Sequence, residues 1–231
     1  MNKELLIFGA YGALGRGATE VLIKKNFDKI YLFGSRIAEE NVITAPNVEN
    51  ILVQNLSVET NVITAFSKIK PGKDKLLFLF STVGGYTGGK YLWEIDEQEW
   101  DRMFNMNLKT NFFIAKHFAK LVKESVGGSL CVTSAYTGSH AEAKKASYGI
   151  SKSALNHLVK TLALEGKEIK LSVNAIAPFI IDTPDNRQRM TSGDYSKWIK
   201  PAEIGELVLS LFENYNFVSG EVVELRERFE G

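Results

Sequence analysis

Short unbroken apolar runs alternate along this chain with longer stretches in which apolar residues recur every three or four positions. The first run, Leu5-Leu6-Ile7-Phe8, reads as a buried strand, and Leu14, Ala18, Val21 and Leu22 then share one face of a helix. Lys29 to Phe33 reads as a second strand and Val48 to Leu56 as a third. A helix over about Val58 to Ile69 is closed by Pro71-Gly72, and Lys75 to Phe80 is a strongly apolar fourth strand. Asp96-x-x-Glu99 has the form of a capping box and opens a long helix from Glu97 to about Lys123. Gly128 to Thr133 is a fifth strand, followed by a helix from about Tyr148 to Leu164 that ends at Gly166. Leu171 to Ala177 is a sixth strand, stopped by Pro178. Thr183 to Lys200 is polar and irregular, too long for a simple connection; Pro201 to Glu213 is a helix and Gly220 to Leu225 a last strand. Strands alternating with helices predict an α/β fold, a doubly wound parallel sheet with helices on both faces. One domain over residues 1–231 accommodates it, with no linker and no internal repeat.

The helix from Glu97 carries Met103, Phe104, Leu108, Phe112, Phe113, Phe118 and Leu121 on more than one side. That predicts burial on two faces, and so a subunit contact in a homodimer or homotetramer. The 28 basic and 27 acidic residues leave a net charge of +1, which gives no electrostatic case for nucleic acid or an anionic membrane as partner. The single cysteine, Cys131, lies in an apolar run, which predicts a buried, inert thiol and suits a reducing, cytoplasmic setting. No apolar run approaches membrane-spanning length, and the first strand begins without a signal-peptide pattern. His117, His140 and His157 are dispersed without metal-ligand spacing, so no metal is expected.

Chemistry enters at Gly9-Ala10-Tyr11-Gly12-Ala13-Leu14-Gly15. Glycines between a strand and a helix allow a tight reversal, close backbone approach to a ligand, and close packing of helix on strand. The helix N-terminus behind them offers free N–H groups to a pyrophosphate, so Gly9, Tyr11, Gly12, Ala13, Leu14 and Gly15 are candidate dinucleotide contacts. The adenosine ribose of such a ligand falls at the end of the second strand, where this chain has Ser35 and Arg36. An acidic residue there would repel a 2′-phosphate; a hydroxyl and a fixed cation suit one, which favours NADP(H), with NAD(H) still open. After the fourth strand, Ser81-Thr82-Val83-Gly84-Gly85 are small enough to let a cofactor pass over the strand end.

Tyr148 and Lys152 stand four residues apart, on one face of a helix. A nearby lysine cation favours tyrosinate and lowers the phenol pKa, so the pair could give a proton to a carbonyl or take one from an alcohol. Taken together, the glycine loop, Tyr148 with Lys152, Asn107 in Asn105-Met106-Asn107-Leu108, and Asn174-Ala175-Ile176-Ala177-Pro178 resemble the short-chain dehydrogenase/reductase family over essentially the whole chain. The resemblance implies a Rossmann-like sheet of about seven strands. It also implies Tyr148 as general acid/base, Lys152 on the nicotinamide ribose, Asn107 ordering a water in a proton relay, and Thr183 near the carboxamide. Asn55, Leu56, Ser81, Val83, Gly84, Pro178 and Ile181 complete the cofactor contacts it implies.

Several residues depart from the family pattern. The spacing within the glycine loop differs, and Ser81 and Thr82 replace the usual asparagines. The family serine that polarises the substrate carbonyl falls at Ala135; Ser134, one residue earlier and so on the other strand face, substitutes only if the strand end bulges or twists. Gly12-Ala13-Leu14-Gly15, Val83 to Gly89, and the run from Asp182-Thr183-Pro184 through Met190 to Tyr195 and Trp198 resemble dihydropteridine reductases, as does the missing serine. Substrate recognition is expected from Tyr86, from Ser139 to Ser147, and from a substrate loop at about 180–200. There, Tyr195, Trp198 and Met190 form an apolar lid, or Trp198 anchors the loop to the core. Arg187 and Arg189 either meet an acidic substrate or are solvated. The expected function is hydride transfer between NADP(H) and a small carbonyl, alcohol or imine-like substrate. The alternatives are reduction of a quinonoid pterin and a non-catalytic, dinucleotide-binding redox sensor.

Overall fold

The computed structural model describes residues 1–229. Seven strands form one parallel sheet: β1 (Asn2–Phe8), β2 (Lys29–Gly34), β3 (Val48–Leu52), β4 (Lys75–Ser81), β5 (Gly127–Thr133), β6 (Leu171–Pro178) and β7 (Val222–Leu225). Their spatial order is β3-β2-β1-β4-β5-β6-β7. The helices are α1 (Ala13–Leu22), α2 (Glu59–Phe66), α3 (Glu97–Phe104), α4 (Thr110–Lys123), α5 (Ala146–Glu165), α6 (Pro184–Arg189) and α7 (Pro201–Glu213). Because successive strand residues face opposite ways, β1 feeds both cores. Leu6 and Phe8 pack with the residues of α2, α4 and α5 on one face, and Leu5 and Ile7 with those of α1 and α7 on the other. Phe8 is stacked on Phe33 at 4.1 Å and on Phe66 at 5.5 Å, which fastens the strand carrying the glycine turn to β2 beside it and to α2 above it. The strand order reverses between β1 and β4, and an open parallel sheet leaves a crevice beyond the carboxyl ends of the strands at such a point.

Element boundaries differ from the sequence expectation where side-chain bonds intervene. The third strand stops at Leu52, since Asn55 accepts the N–H of Ser57 at 3.0 Å and turns the chain; Val53 and Leu56 are buried without being in the strand. The helix after it covers only Glu59–Phe66. The capping box before α3 is half formed: Asp96 accepts the Glu99 N–H at 2.8 Å, but the Glu99 carboxylate turns to Lys90 and Ser147. The helix from Glu97 is interrupted by a π-helical turn at Asn105–Lys109, a class of bulge that gathers at functional sites. α5 begins at Ala146, and Gly166 does not end the chain's winding. A short 3₁₀ turn follows and reverses at Lys170 (φ 56°); Gly166 is needed for space, since a Cβ there would lie 2.4 Å from the Leu171 carbonyl oxygen.

The stretch 183–200 is less irregular than expected. It holds α6, a 3₁₀ turn at Tyr195–Lys197 and a bridge between Ile181 and Ile199. Trp198 is buried and Tyr195 packs edge-on against it at 4.7 Å, so Trp198 anchors the segment and only Met190 of the three expected lid residues reaches the cleft. Cys131 is fully buried, which pushes its thiol pKa up to about 12. No helix among the described residues is long and apolar enough to cross a membrane.

Candidate active site

At the end of β1 the chain must reverse into α1 beneath a ligand-sized opening. Gly9 takes φ 80°, a conformation that side-chain-bearing residues rarely adopt. Its N–H and that of Ala10 both donate to the Phe33 carbonyl, at 3.0 and 3.1 Å, tying the turn to β2. Gly15 then lies directly on the turn: a Cβ there would be 2.0 Å from the Gly9 oxygen. The result is a cavity of about 590 Å³ over the first turn of α1. It brings together Gly9, Tyr11, Gly12, Ala13, Leu14, Gly15, Ser35, Arg36, Asn55, Leu56, Val83 and Gly84, all predicted from sequence. The Tyr11 hydroxyl donates to Asn50, and the ring covers Gly34, where a Cβ would be 2.4 Å from it. Ser35 and Arg36 are exposed at the far end, with the Arg36 guanidinium in no ion pair among the described residues.

A second cavity of about 740 Å³ joins the first at Leu14, Thr82 and Gly84. Tyr148, Lys152, Ser134, Pro178 and Ile181 line it, as do Tyr86, Glu142, Lys145, Asn186, Arg189 and Met190 from the expected recognition segments. The Tyr148 ring stands edge-on to Tyr86 at 5.0 Å. Lys152 is buried and donates from Nζ to the Thr133 carbonyl at 2.7 Å. The expectation that the lysine lowers the phenol pKa is reversed in this structure. Desolvation pushes the Tyr148 pKa up, with Tyr86 and the Glu142 carboxylate adding, and burial brings the Lys152 ammonium down to about 7. A lysine depressed in the folded chain binds its proton more tightly when unfolded, so stability is lowest below pH 7 and rises as pH climbs from about 7 toward the ordinary lysine range. Urea titrations of the ligand-free protein between pH 7.5 and 9 should show this rise, up to about 1 kcal/mol per pH unit. Lys152→Met should flatten it; an equal slope in both proteins would contradict the burial of the amine.

Three predicted residues do not line either cavity. Ser81 is fully buried and donates to Asn111 Oδ1 at 2.7 Å; by strand alternation its neighbour Thr82, which the sequence reading placed in the cofactor's path without naming it as a contact, takes the lining position and donates to the Gly9 carbonyl at 2.9 Å. Asn107 lies in the π turn beneath the cavity floor. Its amide accepts the Gly85 N–H at 2.8 Å and donates to the Gly85 carbonyl at 3.1 Å and to Ser151 at 3.0 Å. A Cβ on Gly84 would meet Asn107 Oδ1 at 2.8 Å and Lys152 Nζ at 3.0 Å, so the bare backbone there is what leaves the floor open. Thr183 is buried and caps α6, accepting the Asn186 N–H at 3.3 Å.

The serine question resolves against an exposed Ser134 hydroxyl. β5 pairs in register with β6 through Thr133, and the Ser134 hydroxyl donates to Asn156 Oδ1 at 2.5 Å, into α5. Thr137, two residues past Ala135 in a 3₁₀ turn, brings another hydroxyl to the cavity wall and donates it to Glu142. Its signal in the sequence was only a hydroxyl residue near Ala135. Among the described residues no group of three or more His, Cys, Asp or Glu is placed to hold a metal ion. The open backbone over α1, the exposed cation at one end and the phenol and amine at the other fit an extended dinucleotide.

Comparison with known proteins agrees with this geometry. Residues 3–193 match the family model described as short chain dehydrogenase. A dihydropteridine reductase of Dictyostelium discoideum is 28% identical over 215 residues, 92% of this chain and 87% of that protein. A 3-oxoacyl-[acyl-carrier-protein] reductase of Thermotoga maritima is 24% identical over 237 residues, covering 96% and 95%. Among solved structures, "ElxO with NADP Bound" superposes with a TM-score of 0.82 at 21% identity over 97% of each chain. A Brucella melitensis 3-oxoacyl-[acyl-carrier protein] reductase with bound NAD gives 0.80 at 21% identity, over 96% of this chain and 88% of that one. Since the matched span, residues 3–193, takes in both the glycine turn and the tyrosine–lysine helix, this chain belongs to the short-chain dehydrogenases and is an NAD(P)-dependent oxidoreductase.

Proposed function

We propose that this protein interconverts a small carbonyl or imine-like compound and its reduced form with NADP(H), using Tyr148 as the general acid/base. The observation that carries the reading is the continuity of the two cavities, which puts the phenol of Tyr148 at the opposite end of one crevice from Arg36. The dinucleotide supplies the hydride when bound. Gly9 to Gly15 and the first turn of α1 receive its diphosphate, and Ser35 and Arg36 its 2′-phosphate. Tyr148 donates a proton to the substrate oxygen or nitrogen, or accepts it in the reverse direction. Lys152 in its protonated form favours the phenolate and hydrogen-bonds the nearby ribose, while Asn107 holds Gly84-Gly85 in the bare-backbone path above it. Solved structures with this fold include both NADP and NAD complexes. Arg36→Asp decides between the two for this chain: it should weaken NADPH binding by about tenfold to a hundredfold while leaving NADH binding nearly unchanged, measured by fluorescence titration. Equal losses would refute the phosphate assignment.

A second reading, reduction of a quinonoid dihydropterin, is favoured by the Dictyostelium relative and by Ala135 where carbonyl reduction usually has a serine. Spectrophotometric assays of NADPH consumption with a panel of aldehydes and ketones and with quinonoid dihydropterin separate the two; consumption with none of them would sink both. One domain, a cytoplasmic setting, and pairing into a homodimer or homotetramer complete the proposal. The exposed faces of Trp100 and Met106 along α3 and the π turn, and of Phe112 on α4, support the subunit contact.

A further inference from the structure

Three cations line the inner cavity: Lys145, Lys152 and Arg189. One acid, Glu142, lines it with them. Lys145 is committed to that acid, at 2.5 Å, and Glu142 also accepts from Thr137. Lys152 gives its ammonium to the Thr133 carbonyl. Arg189 has neither a carboxylate nor a carbonyl partner among the described residues; its guanidinium lies over the Tyr86 ring, 5.7 Å from the centroid. The neighbouring arginine is different. Arg187 forms a two-point pair with Asp182, at 2.6 and 2.8 Å, and stacks on Tyr195, so it holds α6 in place and does not line the cavity. Two arginines that the sequence alone leaves equivalent thus have separate positions, one structural and one facing the cavity.

We infer that Arg189 selects substrates bearing a carboxylate, received at the cavity mouth while the reacting carbonyl or imine lies at Tyr148. This names the substrate class of the oxidoreductase reading above and rests on it. Tyr86 links the two ends. It meets the Tyr148 ring edge-on at 5.0 Å and carries Arg189 over its own face, so a flat substrate lying along Tyr86 reaches both. A guanidinium held over an aromatic face by cation–π attraction still has N–H groups to offer, and their fork matches a carboxylate in two parallel bonds. The cavity also has a net excess of cations over acids, which concentrates an anionic substrate at its mouth.

The test uses a pair of probes that differ in charge and by one methyl group, 4-carboxybenzaldehyde and its methyl ester, with NADPH at saturation. The wild-type protein should favour the acid by about tenfold or more in kcat/KM, with the preference residing in KM. Arg189→Met should bring the acid-to-ester ratio toward one, and Arg189→Lys should restore part of it. A wild-type ratio near one, or a preference that survives Arg189→Met, overturns the inference while leaving the oxidoreductase reading intact. Equilibrium binding of both probes to NADPH-saturated Tyr148→Phe protein supplies a readout without turnover. Arg189-dependent binding of the acid with no NADPH consumption by the wild type would remove the hydride-transfer reading for such compounds and keep the carboxylate site. Failure of the acid to bind overturns the site.

Discussion

Tyr148→Phe should lower NADPH-linked turnover by roughly 10²- to 10⁴-fold, the range removed with a positioned acid/base group, and leave dinucleotide affinity within about threefold. The substitution deletes one oxygen. Among the described residues no protein group bonds that oxygen, while the ring is held by its edge-on contact with Tyr86, which phenylalanine keeps. No buried donor or acceptor is orphaned, so unfolding free energy should stay within about 0.5 kcal/mol of wild type. A large loss of turnover with intact folding and binding is therefore the signature of proton transfer at this atom. A variant that retains most of its activity would move the acid/base role elsewhere. The environment makes the prediction sharper: burial raises the phenol pKa and lowers that of Lys152, so the proton balance of the pair responds to any charge brought into the crevice.

Gly15→Ala should be the most damaging small substitution in the chain. The added methyl would lie 2.0 Å from the Gly9 oxygen, 2.8 Å from the Gly9 carbonyl carbon and 2.9 Å from that of Ala10, all of them backbone atoms. Nothing there can swing aside as a flexible side chain would. Either α1 moves off β1, or the turn opens and loses its bonds to the Phe33 carbonyl. Overpacking of a tight site costs about 1–3 kcal/mol, and backbone contact this short places the expected cost at or above the upper end. For a chain of this size that corresponds to a fall in Tm of at least about 6 °C, readable by calorimetry. Dinucleotide affinity should drop by about a hundredfold or more, because the same displacement misaligns the N–H groups at the helix start. Gly12→Ala is the internal comparison for stability: its added methyl would come no closer than 3.4 Å to the Gly9 oxygen, so a much smaller fall in Tm is expected. Equal falls in Tm at the two positions would contradict the packing described for Gly15.

The parts of the fold that were legible in sequence are those set by local pattern. Leu5 to Phe8, Lys29 to Phe33 and Lys75 to Phe80 are apolar on both faces because helices cover both sides of a parallel sheet, and Pro201 to Glu213 has its start fixed by proline. Boundaries failed where a side chain outcompeted the pattern, as Asn55 does in ending the third strand. The π turn at Asn105–Lys109 was not legible at all. Its residues suit an α-helix, and the extra residue is held by contacts far away in sequence, from Asn107 to Gly85 and Ser151. The glycine cavity was legible almost residue by residue, since a turn from strand to helix leaves few choices for what lines it. The inner cavity was only partly so. Whether Ser81 or Thr82 faces the ligand depends on strand phase, and whether Ser134 or Thr137 presents its hydroxyl depends on where β5 ends. The pKa directions at Tyr148 and Lys152 come from burial, which two residues at helical spacing do not reveal.

The central claim is that one crevice receives a dinucleotide lengthwise, diphosphate on the turn of Gly9 to Gly15 and nicotinamide beside Tyr148. A crystal structure of the protein grown with NADP⁺ tests it most directly. The account predicts the 2′-phosphate within hydrogen-bonding reach of Ser35 and Arg36, the diphosphate over the start of α1, and the nicotinamide ring in the cavity between Gly84, Tyr148 and Ile181. A dinucleotide bound in the reverse sense, or with its nicotinamide outside that cavity, would contradict it.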